Sequence, residues 1–237
     1  FALLMPETAN FAVEPNSDDP TAAFDQVMAL YADIWWIMLL LIVAQTVGTL
    51  ALLALLRADN RPTVGQAITV GAIGFLTSIA ATIILYIGVG VIGGVLMGVA
   101  IASKITALAV ILGLLLFVAF IYLMVKFSLL APVIAIDKVY NPLTALLRSW
   151  RLTKGNSVRL FFFYLLLFIA LVVVSGVIGM IVMLVFGLMG EEVMLIGSGL
   201  INSAVNAVVI VLMLGVLAAV HRQLAGPSAE SMGETFE

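Results

Sequence analysis

Long hydrophobic blocks, separated by short polar segments, dominate the pattern of this chain. Five blocks cover residues 34–56, 67–103, 105–125, 160–184 and 195–220. A helix of about 20 apolar residues is long enough to cross the hydrocarbon core of a bilayer, which is about 30 Å thick. The ~10-residue alternating segments of a transmembrane barrel are not the pattern seen here. The sequence therefore predicts an all-α, polytopic membrane protein with five visible spans.

Composition supports this class of protein. Of the 237 residues, 64% are hydrophobic and 10% are charged, and the mean hydropathy is +1.29. Soluble domains carry about 25% charged residues. The chain has no cysteine, which excludes disulfides and thiolate sites, and one histidine, His221. We treat residues 1–237 as a single integral membrane domain.

The distribution of charge predicts the orientation of the spans. Nine of the ten basic residues lie in three polar segments that alternate with the spans: Arg57, Arg61, Lys126, Lys138, Arg148, Arg151, Lys154, Arg159 and Arg222. The tenth, Lys104, lies in a different connection. Because basic segments stay on the cytoplasmic side, we expect residues 6–33, which are acidic, to lie outside, and residues 223–237 to form a cytoplasmic tail. Residues 1–5 look like the end of a preceding apolar helix, so we expect six spans in the full chain.

The segment 126–159 holds six of the basic residues and a predicted interfacial helix. Pro132 should end or kink the incoming span, and Asn141-Pro142 is typical of a helix start. The apolar face of this helix would lie on the membrane and consists of Leu143, Leu146, Leu147 and Trp150. The helix should end near Lys154-Gly155. We expect lipid head groups or a partner protein to contact this helix through Arg148, Trp150, Arg151 and Lys154. The alternative is that these cations only anchor the topology.

Two features of the spans suggest contacts within the membrane. Gly90, Gly94 and Gly98 recur every four residues, which predicts close helix packing, either within the chain or between copies. The glycine-rich segment 88–103 could be a continuation of the second span, an interfacial helix or a re-entrant turn. Asn202 and Asn206 share one helical face and could form a polar pocket, or simply interhelical hydrogen bonds that contribute about 1 kcal/mol each.

Three charged or titratable residues lie close to span ends. Asp137 is followed by Lys138, and we expect these two to form a structural pair at the interface, with a functional gate as the alternative. His221 precedes Arg222 at the end of the last span, where a cation complements the helix dipole. A lone histidine is a poor candidate for a metal site.

Part of the basic segment resembles a known family. Pro132, Asp137 and the run ALLRSWRLTKG at residues 145–155 are similar to the membrane domain of glycerophosphoryl diester phosphodiesterase. The resemblance covers about 35 residues. It implies a helical fold of six spans in a bacterial inner membrane, and no activity, because that family takes its name from members fused to a separate phosphodiesterase domain.

The sequence offers no set of catalytic residues. A metal-dependent phosphodiesterase needs several carboxylates and histidines around its metal, and no phosphate-binding Gly-Lys-Ser/Thr loop or nucleophile elbow is present. The predicted spans contain no ionisable residue of the kind that marks an ion route. We therefore expect no enzyme, no cofactor and no metal.

Two functions fit these observations. The first is a non-catalytic accessory, scaffold or regulatory subunit of a membrane assembly. The second is a transporter of lipids or small solutes, or another lipid-handling protein. The expected partners are anionic lipid head groups and another membrane protein or a second copy of the chain. We expect no nucleic-acid partner.

Overall fold

Seven α-helices make up the part of the chain that the computed structural model describes, residues 22–57, 62–188 and 191–226. They are α1 (Ala22–Leu55), α2 (Val64–Ala102), α3 (Thr106–Phe127), α4 (Leu130–Ala135), α5 (Pro142–Leu152), α6 (Ser157–Phe186) and α7 (Glu191–Ala225). Five stretches are long and apolar enough to cross a membrane: Ile34–Leu55, Val64–Ala102, Thr106–Ala135, Ser157–Phe186 and Ile196–Ala225. The all-α, polytopic prediction is confirmed. The expectations for residues 1–5, most of 6–33 and the tail after Gly226 lie outside the described residues.

Helix α2 runs without interruption through the glycine-rich segment. It begins at a capping box, in which Thr63 and Gln66 exchange side-chain and backbone hydrogen bonds, and it ends at Ala102. Segment 88–103 is therefore a continuation of the second span. At 1.5 Å per residue, the 39 residues of α2 extend about 58 Å, roughly twice the thickness of the hydrocarbon core.

Small residues near the start of α2 allow α1 to pack closely against it. Ala67, Gly71 and Gly74 are buried, and a Cβ atom added to Gly71 would lie 2.5 Å from the carbonyl oxygen of Val47. Only glycine permits this approach of two backbones. The close packing that the sequence predicted for residues 90–98 thus occurs about 20 residues earlier.

The predicted glycine contacts are not made within the described chain. A Cβ added to Gly90, Gly94 or Gly98 would meet no atom within 4 Å. The predicted packing of these three glycines is therefore not made with any described helix, because none of them covers that part of α2. Contact with another copy or another protein stays a prediction.

Helix α4 is a short wedge buried between the spans. Pro132, Val133 and Ile134 are fully enclosed, and the core around them includes Leu50 of α1 and Leu214 of α7. The chain breaks between α3 and α4 as predicted, and Pro132 occupies the third position of α4, where its missing N–H leaves no hydrogen bond unmade. The best-packed core therefore lies at one end of the bundle. We call this end, formed by α4, α5, the start of α6 and the end of α7, the basic end.

Helix α5 has the predicted limits but buries a different face. The Asn141 side chain accepts hydrogen bonds from the N–H groups of Leu143 and Thr144, and Gly155 follows the helix with φ of +86°. Leu143 and Leu147 are 59% and 58% exposed. The buried positions are Ala145, Leu146 and Ser149. Small side chains at 145 and 149 let α5 pack against the bundle, and Leu146 turns into the bundle with them. Contact of the exposed Leu143 and Leu147 with the membrane stays a prediction.

Candidate functional site

Three predicted basic residues line one groove at the basic end. The groove has a volume of about 720 Å³ and lies between α5, the turn after it and the last residues of α7. We call it the basic groove; it is lined by Thr144, Leu147, Arg148, Arg151, Leu152, Lys154, Asn156, Gln223, Leu224 and Ala225. Among the described residues, no carboxylate lines it. The structure therefore brings Arg148, Arg151 and Lys154 together on one positive surface, on which Arg151 and Lys154 have no carboxylate partner among the described residues.

Local geometry explains why these three cations converge. Arg148 and Arg151 are three residues apart on α5, so their side chains leave the same face of the helix. Lys154 follows in the tight turn between α5 and α6, which Gly155 makes possible through its positive φ. Gln223, near the end of α7, contributes an uncharged polar wall.

A second, more apolar groove continues the first. It has a volume of about 220 Å³ and is lined by Asn156, Arg159, Leu160, Phe163, Val220, Gln223 and Leu224. We call it the apolar groove. It shares Asn156, Gln223 and Leu224 with the basic groove. The two grooves thus form one surface that leads from the cations of α5 to the flank between α6 and α7.

Asp137 joins three parts of the basic end. It lies in the linker between α4 and α5, and its Oδ2 accepts a hydrogen bond from Nε of Arg148 at 2.6 Å. Nε2 of His221, on α7, lies 3.1 Å from the same oxygen, so this nitrogen is the donor when it carries the proton. We call these three residues the Asp137 cluster. It holds α5 and α7 together through one carboxylate.

Burial and charge act in opposite directions on Asp137. Burial alone would raise the pKa of its carboxyl group. Hydrogen bonds and positive charge from His221 and Arg148 outweigh that effect and lower the pKa below the ordinary value. The carboxylate is therefore ionised and available to both partners at neutral pH.

The Asp137 cluster corrects two predictions. Asp137 pairs with Arg148 and His221, whereas Lys138 is exposed, with a left-handed backbone at φ of +55°. The predicted Asp137–Lys138 pair was therefore wrong. His221 does not stand at a free helix end but is buried, with a side chain that is 3% exposed. A separation of 84 residues between Asp137 and His221 hid this contact from any local pattern.

Trp150 lies away from the basic groove, on the side of α5 that faces α3. The Nζ atom of Lys126 lies 5.0 Å from the centre of its ring and 5.4 Å from the ring of Tyr122. These are cation–π distances. Ser149 Oγ also donates to the carbonyl oxygen of Lys126 at 2.9 Å. Trp150 therefore joins α5 to α3. It does not line the basic groove with Arg148 and Arg151, although the sequence predicted it as a head-group contact beside them.

Comparison with known proteins identifies a family. Residues 4–224 match a family described as a domain of unknown function, DUF7847. The chain belongs to this family. No curated protein and no solved structure matches the chain. The resemblance to the membrane domain of glycerophosphoryl diester phosphodiesterase gains no support from the family match and stays a prediction.

The predicted polar pocket on the last span is not formed in this DUF7847 chain. Asn202 and Asn206 are exposed on α7, and neither side chain makes a hydrogen bond within the described residues. Neither the pocket nor the interhelical hydrogen bonds are made with the described helices, because this face of α7 is not turned towards any of them.

The arrangement at the basic end suits binding of an anion. Within residues 22–57, 62–188 and 191–226, no group of three His, Cys, Asp or Glu side chains is placed to hold a metal ion. Arginine and lysine side chains bind phosphate oxygens through charge-assisted hydrogen bonds, with arginine able to donate two in parallel. The basic groove offers two arginines and one lysine for that purpose.

Proposed function

We propose that this protein is a non-catalytic, multi-pass membrane protein that binds anionic phospholipids through the basic groove. One observation carries the proposal: Arg148, Arg151 and Lys154 line a single groove of about 720 Å³ with no carboxylate among its described lining residues. Basic pockets between membrane helices are a known way of binding the phosphate groups of lipids. The proposal develops the lipid-handling function that the sequence suggested.

The surroundings of the groove favour a lipid over a soluble anion. The apolar groove continues from the basic groove and is lined by Leu160, Phe163 and Val220. These residues belong to α6 and α7, both of which are long and apolar enough to span a membrane. A head group in the basic groove would therefore have an apolar surface beside it for its glycerol and acyl parts.

The charge asymmetry of the sequence supports a position of the basic groove at the cytoplasmic face. Basic segments of membrane proteins remain on that side, and the anionic lipids of the inner leaflet are then within reach. The bacterial inner membrane is the location that the phosphodiesterase resemblance implies. A bound lipid at this place would fix the basic end at the depth of the phosphate groups.

Lipid binding in mild detergent tests the proposal directly. The purified protein would be titrated with phosphatidylglycerol or with uncharged phosphatidylcholine, and bound lipid counted by native mass spectrometry. We expect the anionic lipid to bind more tightly. Replacing Arg151 and Lys154 together by Gln should weaken that binding about thirtyfold, because one basic residue near an anionic membrane surface contributes about 1 kcal/mol.

Lys104→Gln is the matched control. This residue lies in the turn between α2 and α3, away from the basic end, and its replacement removes one positive charge, against two in the double variant. Equal binding of the two lipids, or equal losses in the control and the double variant, would contradict the proposal.

A second candidate function is that of an accessory subunit in a membrane assembly. The observation in its favour is that Gly90, Gly94 and Gly98 face open space on the long helix α2. Gly94→Leu should then reduce co-purification of a membrane partner or of a second copy. Gly113→Leu on α3, another glycine in open space, is the matched control. Unchanged recovery with Gly94→Leu would remove this face as the contact.

A further inference from the structure

We infer that the ligand of the basic groove is a lipid with two phosphate groups, bound across the basic and apolar grooves with Arg159 as the second phosphate contact. The inference rests on the proposed function and adds the class of ligand. Arg159, near the start of α6, lines the apolar groove, whereas Arg151 and Lys154 line the basic groove. Asn156 and Gln223 line both grooves and separate the two sets of cations.

The charge balance of this surface favours a ligand with at least two negative charges. Arg148 is already paired with Asp137, so its positive charge is largely compensated. Arg151, Lys154 and Arg159 form no ion pair with any described residue, and no described carboxylate lines either groove. One phosphodiester carries a single negative charge and would leave two of these three cations without a partner. Two phosphate groups compensate them more completely.

The shape of the surface agrees with such a ligand. The two grooves are continuous at Asn156, Gln223 and Leu224, so one molecule can occupy both. Asn156 and Gln223 offer neutral donors and acceptors, which suit the oxygens that lie between two phosphates, either on a glycerol linker or in a P–O–P bridge. Leu160 and Phe163 then provide contact for hydrocarbon beside the second phosphate.

Two kinds of lipid share this chemistry. One holds two phosphodiesters joined by a glycerol, as in diphosphatidylglycerol. The other holds a diphosphate on an isoprenoid alcohol, as in farnesyl diphosphate. The grooves favour paired phosphates in either form, and direct titration separates the two sources.

The test compares the binding of two-phosphate and one-phosphate lipids at equal amounts of phosphate. The protein in mild detergent would be titrated with diphosphatidylglycerol, with phosphatidylglycerol at twice the molar concentration, and with farnesyl diphosphate, and each complex counted by native mass spectrometry. We expect at least one of the two-phosphate lipids to bind about tenfold more tightly per molecule than phosphatidylglycerol. The tighter of the two identifies the source.

Arg159 variants test the second phosphate contact. Arg159→Gln should weaken binding of the two-phosphate lipid about fivefold and leave phosphatidylglycerol binding within about twofold, because the single phosphate uses the basic groove. Arg159→Lys keeps the charge and should retain the preference. Arg159 is exposed, and an unchanged thermal unfolding profile would show that each variant is folded.

The outcomes separate this inference from the proposed function. If phosphatidylglycerol binds more tightly than phosphatidylcholine but the two-phosphate lipids have no advantage, the inference is overturned and the basic groove remains a lipid site. If Arg159→Gln weakens both anionic lipids equally, Arg159 is not a separate phosphate contact and the inference is overturned as well. If no anionic lipid is preferred over phosphatidylcholine, the proposed function itself fails.

Discussion

Removing the carboxylate of Asp137 should destabilise the basic end, because two donors on different helices share its Oδ2 atom. The Arg148 side chain is 47% exposed, so its pair with Asp137 resembles a surface salt bridge and contributes no more than about 1 kcal/mol. The His221 side chain is 3% exposed, and Asp137→Ala would leave its Nε2 donor buried without an acceptor, which costs about 1–3 kcal/mol. We therefore expect a loss of about 2–3 kcal/mol in the free energy of unfolding.

Thermal unfolding in mild detergent, followed by tryptophan fluorescence, measures this loss. For a chain of this length, a change of that size lowers Tm by about 5–10 °C. Asp137→Asn should lose less than Asp137→Ala, because its amide oxygen can still accept one hydrogen bond. A double-mutant cycle that combines Asp137→Asn with His221→Gln should give a coupling energy of about 0.5–3 kcal/mol, as expected for residues in contact.

Lys138→Gln is the control for Asp137→Ala. Lys138 is adjacent in sequence but exposed and unpaired with Asp137, so its replacement should change stability by no more than about 0.5 kcal/mol. If Lys138→Gln lowered Tm while Asp137→Ala left it unchanged, the pairing that the structure shows would be refuted.

The same carboxylate predicts a dependence of stability on pH. Its pKa is lowered in the folded protein from the ordinary value of 3.8. A group with a lowered folded pKa stabilises the fold fully above its unfolded pKa and loses that contribution as the pH falls through the folded pKa. The difference in Tm between the wild type and Asp137→Ala should therefore be constant above about pH 5 and shrink below about pH 4. A difference that shrank on raising the pH would contradict this sign.

Packing at α2 gives two further predictions, measured by the same unfolding assay. Gly71→Ala should destabilise by about 1–3 kcal/mol, because its Cβ would lie 2.5 Å from the carbonyl oxygen of Val47 and force α1 and α2 apart. Gly94→Ala should be neutral or stabilising by about 0.5–1 kcal/mol, since it fills open space and favours the helix; equal losses at both positions would contradict this difference. Thr77→Val should lower the free energy of unfolding by about 1 kcal/mol, because the Thr77 hydroxyl donates to the carbonyl oxygen of Tyr140 at 2.7 Å. Thr77→Ser keeps a hydroxyl and should retain this hydrogen bond.

The sequence predicted the features that depend on neighbouring residues. Long apolar runs fixed the number of spans in the described chain, and the Asn141-Pro142 pair marked the start of α5 correctly. The convergence of Arg148 and Arg151 followed from helical spacing, which brings residues three apart onto one face, and Lys154 joins them from the turn that ends at Gly155. These properties depend on residues that are close together in the sequence, so a local pattern is enough to predict them.

Features that depend on distant residues could not be predicted in this way. The face of α5 that becomes buried is chosen by small residues, Ala145 and Ser149, because they allow close approach to the bundle, and hydropathy gives such residues little weight. The partner of Asp137 is on a helix 84 residues away. The regular glycine spacing at residues 90–98 suggested a contact there, and only the position of α1 shows that the contact is made at Gly71.

The burial of α4 has a consequence for the order in which the protein can assemble during synthesis. Val133 and Ile134 share their core with Leu50 of α1, which is made before them, and with Leu214 of α7, which is made after them. The contact of Asp137 with His221 likewise waits for α7. An intermediate that ends before α7 would therefore hold the α4 wedge and an ionised carboxylate without their final partners. Insertion of α7 should be the step that closes the basic end, so chains stopped before α7 should be preferred substrates for membrane quality-control proteases.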